Sequence, residues 1–275
     1  MIEFILPLPL KMNNPKALVS ILLPIHNSEK FLKECLASLR SQTYKNIEVI
    51  AIDDKSSDNS YKILKQFKKD LPALRHGKRF RISQNIKRYG IVMTLNRVLR
   101  KAKGEYIAFA GANDLAHKNR IKRQLQFLLS NREVLAVGTQ CVFINKKGAR
   151  IGKSKFPQEN SRIYSSPLHG LSMQFESVMI NKSLLPKDIL KFDAGALPFI
   201  YSDFLIKLLP YGKFANLRNY LHFHRNNPKI YLYDLPKNFF SFIKLCLRSR
   251  ELHDYQRAHR MFFSSLLRPL TLSVK

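Results

Sequence analysis

Acidic residues are scarce in this chain. Asp and Glu number 19 against 48 Lys and Arg, which leaves a formal net charge of +29 over 275 residues. Cysteine is scarcer still. Cys35, Cys141 and Cys246 are far apart, odd in number and never spaced as C-x-x-C. That argues against a disulfide framework and a cysteine-ligated zinc, and a reducing cytosol is the simplest setting. Small buried thiols are common in cores, so Cys35 reads as a core residue before it reads as a nucleophile. No uninterrupted apolar run reaches the roughly 18–20 residues that cross a bilayer. The opening MIEFILPLPLKMNN carries Glu3, lacks a basic leader and is broken by Pro7 and Pro9, so no signal peptide is expected. With 10 Gly and 13 Pro the chain is not a fibre, and at 45% apolar it is not a disordered polycation. What remains is a globular chain, long enough for one large domain or two small ones.

A charge of this size attracts polyanions, either nucleic acid or an anionic membrane surface. Residues 62–103 hold 14 Lys or Arg against one acid, Asp70. Solvated helix faces explain such a stretch equally well. No basic run is interleaved with aromatics as in an RNA-stacking sheet, and no zinc-finger or helix-turn-helix pattern is visible. Nucleic acid is therefore not the expected partner.

The first 110 residues alternate strand and helix signals. Leu18–Ile25 and Ile47–Ile52 are short apolar runs of buried-strand length. Between them Asn27-Ser28 offers a cap, and Phe31, Leu32, Cys35, Leu36 and Leu39 recur at helical spacing. Ser57-Asp58 opens a helix carrying Ile63, Leu64 and Phe67. Phe80–Ile82 is a weak strand, Val92–Ala102 a helix ended by Gly104, and Tyr106–Ala110 a fourth strand. This alternation predicts βαβ units and a mainly parallel sheet, whose ligands bind beyond the carboxyl ends of the strands. Polar clusters fall at those ends: Pro24–Asn27, Asp53-Asp54 and Gly111–Asp114.

Further on, a helix over Arg120–Leu129 and a strand over Val134–Ile144 are expected. A loop-rich stretch follows over 145–170, then a strand over Gln174–Ile180, a helix over Leu197–Leu209 and a strand over Ala215–His224. From about residue 236, Phe239, Phe240, Phe242, Ile243, Leu245 and Leu247 form one apolar crowd. Phe262, Phe263, Leu266 and Leu267 form another, with Lys237, Lys244, Arg248, Arg250, Arg257, Arg260 and Arg268 interspersed. That composition fits basic amphipathic helices in a membrane interface, or a helical pair packed on the domain or a second subunit.

The stretch VSILLPIHNSEKFLKECLASLRSQTYKNIEVIAIDDKSSDNS resembles the strand, P-x-x-N turn, helix, Q-T-Y and D-D-x-S-x-D-x-S succession of the family 2 (GT-A type) glycosyltransferases. GEYIAFAGANDLAHKNRI resembles that family's G-E-Y-I strand, acidic metal motif and R-L helix, and the likeness extends over roughly residues 17–225. It implies an α/β GT-A fold, a Rossmann-like mainly parallel sheet flanked by helices, with a helical basic C-terminal tail. The corresponding division is an N-terminal extension over 1–16, a catalytic domain over 17–228 and a basic amphipathic tail over 229–275. Within the domain, 17–115 would form the nucleotide-binding half and 116–228 the acceptor half.

The resemblance also implies roles. Asp54 would accept the N–H of a uracil-like base, with Asp53 orienting the loop or touching the sugar. A capping turn built on Asp54, Ser56 and Ser57 is the alternative. Pro24, Ile25, His26 and Asn27 would pass backbone under the base, though Asn27 also suits a helix cap. Asn85, Arg88 and Gly90 would line the ribose and phosphates, with Ala112 beside them. The family's D-x-D reads Gly111-Ala112-Asn113 here, followed by Asp114. A divalent metal, Mn²⁺ or Mg²⁺, would then rest on Asp114 with Asn113 and His224. Otherwise Lys and Arg would take over its neutralising role, or the site would be degenerate. His222 and His224 alternate with Phe223 and so share one strand face. Asp203 would be the general base of an inverting transfer, or else an N-terminal helix carboxylate. His169 and Glu176 lie where acceptor contacts are expected.

The implied donor is a nucleoside-diphosphate sugar, most simply a UDP-sugar. The implied acceptor is a hydroxyl of a glycan or lipid-linked glycan, as in cell-surface polysaccharide synthesis. The tail, over 237–268, would hold a cytoplasmic protein peripherally on the inner face of the cell membrane. A degenerate nucleotide-sugar-binding protein of the same fold is the rival reading.

Overall fold

The computed structural model describes residues 17–70, 79–225 and 238–258. The proposed extension 1–16, Lys237, and Phe262, Phe263, Leu266, Leu267, Arg260 and Arg268 of the tail lie outside them.

The first half builds as its apolar pattern requires. Strand β1 (Val19–Ile25) is buried almost throughout, and β2 (Ile47–Asp53) is buried at every position. Continuous apolar runs of this kind belong to parallel strands covered on both faces. Helix α1 (Glu29–Arg40) buries Leu32, Cys35, Leu36 and Leu39, a single stripe at helical spacing. Helix α2 (Ser60–Lys69), strand β3 (Arg79–Gln84), helix α3 (Ile91–Lys101) and strand β4 (Tyr106–Phe109) follow in the expected order. Gly104 is needed where the chain enters β4. A Cβ there would lie 2.7 Å from the Leu18 carbonyl and the Ser20 amide of the neighbouring strand.

The second half adds β5 (Leu115–Ala116), α4 (Arg120–Ser130), β6 (Val134–Ile144), β7 (Arg150–Lys153), α5 (Asn160–Ser165), β8 (Met179–Asn181), α6 (Ile200–Leu208), β9 (Lys213–His224) and α7 (Phe239–His253). The sheet order is β3-β2-β1-β4-β8-β6-β9-β5, with β7 paired to β6. Strands β1, β2, β3, β4, β6 and β9 run one way, while β5, β7 and β8 run the other. Core residues of α1, α2 and α4 lie on one face of the sheet, and those of α3, α6 and α7 on the other. Along β1, Ile21 and Leu23 point to the first core and Leu22 to the second, the two-residue period of a strand.

One expectation changes and two are refined. Gln174–Ile180 is not one strand. Residues Phe175–Ser177 form a 3₁₀ turn, closed by the Ser177 hydroxyl on the Gln174 carbonyl at 2.8 Å, and only Met179–Asn181 pairs with the sheet. The stretch 145–170 contains β7 and α5 rather than loop alone. The tail's first helix, α7, packs on the domain. Phe242 and Leu245 are buried, Phe242 meets Phe199 edge-on, and Tyr255 beyond the helix packs on Tyr164. Its other face carries exposed Phe240 and Leu247, and Leu252 is exposed near the helix end. Among the described residues no helix is long and apolar enough to cross a membrane.

Candidate active site

Parallel strands deliver two polar clusters to the carboxyl edge of the sheet. The first follows β2. The Asp54 carboxylate accepts from the Tyr89 N–H (2.9 Å), the Gly90 N–H (2.8 Å) and the Asn85 amide (2.7 Å). It therefore ties the 85–90 loop to the sheet. Gly90 holds φ at 83°, a left-handed value that favours glycine just before α3. Burial works against the charge on Asp54, but these donors outweigh it and its pKa lies below the usual carboxylate range. The Thr94 side chain is a fourth donor, so the acceptor sites of Asp54 are taken up within the protein. Asn85 Oδ1, beside it, is buried with no donor among the described residues.

Asp53, not Asp54, builds the turn with Ser56. It accepts from the Ser56 hydroxyl at 2.5 Å and the Ser56 N–H at 3.1 Å, and Gln84 donates to it as well. Asn27 (φ 47°) spans to the same turn through Ser56 and Ser57 instead of capping α1, whose cap position is Ser28. His26 Nδ1 sits 3.1 Å from the Asp54 carbonyl. Pro24 and Ile25 are the last residues of β1, and Arg88 is exposed on the loop held by Asp54.

The second cluster follows β4. The loop through Gly111, buried Ala112 and exposed Asn113 turns into β5, whose Leu115 and Ala116 pair with Phe223 and His222 of β9. That register brings Asp114 to the two same-face histidines. Asp114 Oδ2 lies 3.2 Å from His222 Nε2 and 3.1 Å from His224 Nδ1, while Oδ1 accepts the Arg225 N–H at 2.8 Å. Ligand atoms of Asp114, His222 and His224 all fall within 4.8 Å of one another. The Arg225 guanidinium donates to the Asn113 and Asn145 carbonyls and to Glu34, and stacks over Phe31.

The two histidines differ electrically. His222 faces fully buried Arg120, whose guanidinium also bonds the Phe109 carbonyl and Gln124. Arginine only donates, so His222 Nδ1 accepts and its proton sits on Nε2, toward Asp114. Burial pushes His222 down despite Asp114. Burial also opposes protonation of His224, but the Asp114 carboxylate wins and raises it to about 9. Burial likewise disfavours the charge on Asp114, and His224 and His222 more than offset it, holding its pKa far below the usual range. Cys35 donates its S–H to the Gly111 carbonyl at 3.3 Å, and burial pushes the thiol well up, which removes it as a nucleophile.

Asp203 lies elsewhere. It is 2% exposed in the first turn of α6, with Oδ1 at 3.2 Å from His253 Nε2 and 3.5 Å from Arg248 Nε of α7. Asp54, Asp114 and Asp203 thus have no side-chain partner in common. The hollow at Asp114 is lined by Cys35, Ser38, Gly111, Arg120 and His222 among others, and neither Asp54 nor Asp203 is on its wall. Sequence reasoning missed Arg120, Gln174 and Glu34. For Arg120 the signal was the basic residue opening the helix after the acidic motif. The other two carried none.

An α/β sheet with polar clusters at the carboxyl ends of β1, β2 and β4 defines a nucleotide-binding type of architecture. Residues 20–183 match the model of glycosyl transferase family 2. The chain belongs to that family. An uncharacterized glycosyltransferase of Haemophilus influenzae is 30% identical over 172 residues, 62% of this chain and 64% of that protein. The poly(ribitol-phosphate) beta-glucosyltransferase of Bacillus spizizenii is 33% identical over 144 residues, 52% of this chain and 22% of that one. The match spans less than two thirds of either relative. Among solved structures, S. aureus TarS 1–349 in complex with UDP superposes with a TM-score of 0.67 at 20% identity, covering 93% of this chain and 72% of that one. The Pyrobaculum calidifontis mannosyltransferase PcManGT with GDP-Man and Mn²⁺ gives 0.65 at 15% identity, covering 94% and 73%. These likenesses establish the GT-A fold.

Proposed function

We propose that the chain is an inverting glycosyltransferase that moves a sugar from a UDP-sugar to a hydroxyl of a glycan or lipid-linked glycan, as in cell-surface polysaccharide synthesis. The observation that carries the reading is the convergence of Asp114, His222 and His224 at the carboxyl edge of β4 in a family 2 chain. TarS with UDP and the ribitol-phosphate glucosyltransferase lend support for the donor and for a surface-polymer acceptor.

The donor's base and ribose would lie along Pro24–Asn27, Asp53, Asp54, Asn85 and Gly90, with Arg88 and Ala112 toward the diphosphate. Asn85 Oδ1 suits an N–H or O–H donor of the ligand. Asp114, Asn113 and His224 would hold a divalent cation. The residues present fit one once His224 gives up its proton: Asp114 is anionic, and His224 Nε2 is buried with no partner among the described residues. His222, its Nδ1 turned to Arg120, orients Asp114 instead. The cation, when bound, neutralises charge on the departing diphosphate.

Asp203 remains the proposed base. For that role an acceptor hydroxyl has to displace His253 from Oδ1. Exposed Phe240 and Leu247, flanked by Lys244 and Arg250, would rest α7 on an anionic membrane surface. A thermal-shift screen of nucleotide sugars with and without Mn²⁺, followed by assays of UDP release with glycan acceptors, tests the reading. Stabilisation by UDP-sugars is expected. A flat response to every nucleotide sugar refutes it.

A further inference from the structure

Two of the acids expected in the metal motif are missing, at Gly111 and Asn113, yet the space beside Gly111 is not empty. An ideal Cβ on Gly111 would lie 2.6 Å from Asp114 Oδ2 and 3.3 Å from Glu176 Cγ. No real side chain tolerates the first distance, and Asp114 cannot easily withdraw because His222, His224 and the Arg225 N–H hold it. The place of an aspartate at 111 is thus taken by the side chains of two other acids, one from the next turn of the same loop and one from across the sheet.

Glu176 arrives there because Phe175–Ser177 is a 3₁₀ turn and not the strand its sequence suggests. Its Oε2 accepts from Gln174 Nε2 at 2.6 Å, and the same amide nitrogen lies 3.3 Å from His224 Nδ1. Gln174 therefore links Glu176 to the Asp114–His224 pair. Two buried polar atoms of this group, His224 Nε2 and Gln174 Oε1, have no partner among the described residues. Glu176 itself is half-buried, with its Oε2 held by Gln174.

We propose that Glu176 supplies the second carboxylate of the divalent-cation site, replacing the acids absent at Gly111 and Asn113. The inference rests on the transferase reading above and gives that site the charge it otherwise lacks. Two carboxylates and an imidazole neutralise and hold a divalent cation far better than one carboxylate with an amide. Gly111 is then glycine because the acid moved: a side chain at 111 and the Asp114–Glu176 pair exclude one another.

The test is Mn²⁺ binding to the full-length protein, read as free Mn²⁺ by EPR with and without UDP, alongside UDP binding by thermal shift in EDTA. The protein is expected to bind Mn²⁺, and Glu176→Gln to weaken that binding at least tenfold, about the least seen when even an outer-sphere partner is lost. Gly111→Ala, which pushes on Asp114, is expected to weaken it as well. The Glu176→Gln protein should keep its melting temperature and its UDP affinity in EDTA, since its amide fits the same half-buried position. Unchanged Mn²⁺ affinity in Glu176→Gln overturns the proposal, as does absence of Mn²⁺ binding in the unmodified protein, and in both cases UDP binding leaves the transferase reading standing. If no UDP binds under any condition, that reading falls and takes this inference with it.

Discussion

Replacing Asp203 by Asn separates two jobs that the structure loads on one carboxylate. Asn keeps the shape and one acceptor oxygen but removes the charge that faces His253 and Arg248. Stranding a buried charge costs about 3–5 kcal/mol. The loss here is smaller, because Arg248 keeps Asp193 at 2.8 Å. About 2–3 kcal/mol is expected, the size of one or two charge-assisted hydrogen bonds. For a chain of this size that lowers the melting temperature by about 5–10 °C. Turnover should fall far more than stability explains, by roughly 10²–10⁴-fold, if Asp203 takes the acceptor proton. His253→Gln provides the contrast. It retains a donor toward Asp203, so it should cost less than about 1 kcal/mol and leave turnover within a few fold. Initial rates of UDP release at a temperature where all three proteins are folded, paired with thermal melts, make the comparison. Asp203→Asn with undiminished turnover refutes the base assignment and leaves Asp203 as the anchor of α7. Equal rate losses in both variants would mean that Asp203 acts only by seating α7.

Asp54 titrates lower folded than unfolded, so its stabilisation is complete above the unfolded value near pH 4 and disappears as pH falls through the folded value. Urea unfolding between pH 7 and pH 3 should show this loss, and Asp54→Asn should flatten that part of the profile. Gly104→Ala drives a Cβ into the Leu18 carbonyl and the Ser20 amide. It should destabilise by about 1–3 kcal/mol, and a melt unchanged within error would contradict the packing. Arg120→Met releases His222 Nδ1, so the ¹⁵N shifts of that ring should move away from a pure Nε2–H tautomer. Phe240→Asp with Leu247→Asp should cut sedimentation with phosphatidylserine vesicles and spare UDP binding. Sedimentation equal to the unmodified protein would remove α7 from the membrane reading.

Much of the fold was legible because local pattern and tertiary role agree. Buried parallel strands such as β1 and β2 must be short apolar runs, and α1 must carry one stripe, so both are visible in sequence. Val134–Ile144 matches its expected bounds although Gly138, Thr139 and Gln140 interrupt its apolar run. The stretch 174–180 misled because Phe175, Val178 and Ile180 are as apolar as a strand needs, while the turn is set by Ser177 and Gln174 side chains. The metal motif showed its missing acids but not their replacement. Glu176 is 65 positions from Gly111, and only the pairing of β4 with β8 brings the two together. The partners of Asp203 escaped notice because an apolar, basic tail reads alike whether it meets lipid or a domain.

Arg120 is a joint between three distant stretches: it bonds the last residue of β4, a side chain of its own helix and His222 near the end of β9. A chimera that joined this chain to a relative between residues 115 and 116, the half-domain division expected from the sequence, would cut through that joint. Grafts meant to alter sugar preference should instead carry residues 109–124 and 213–225 as a single inherited block, from one parent or the other.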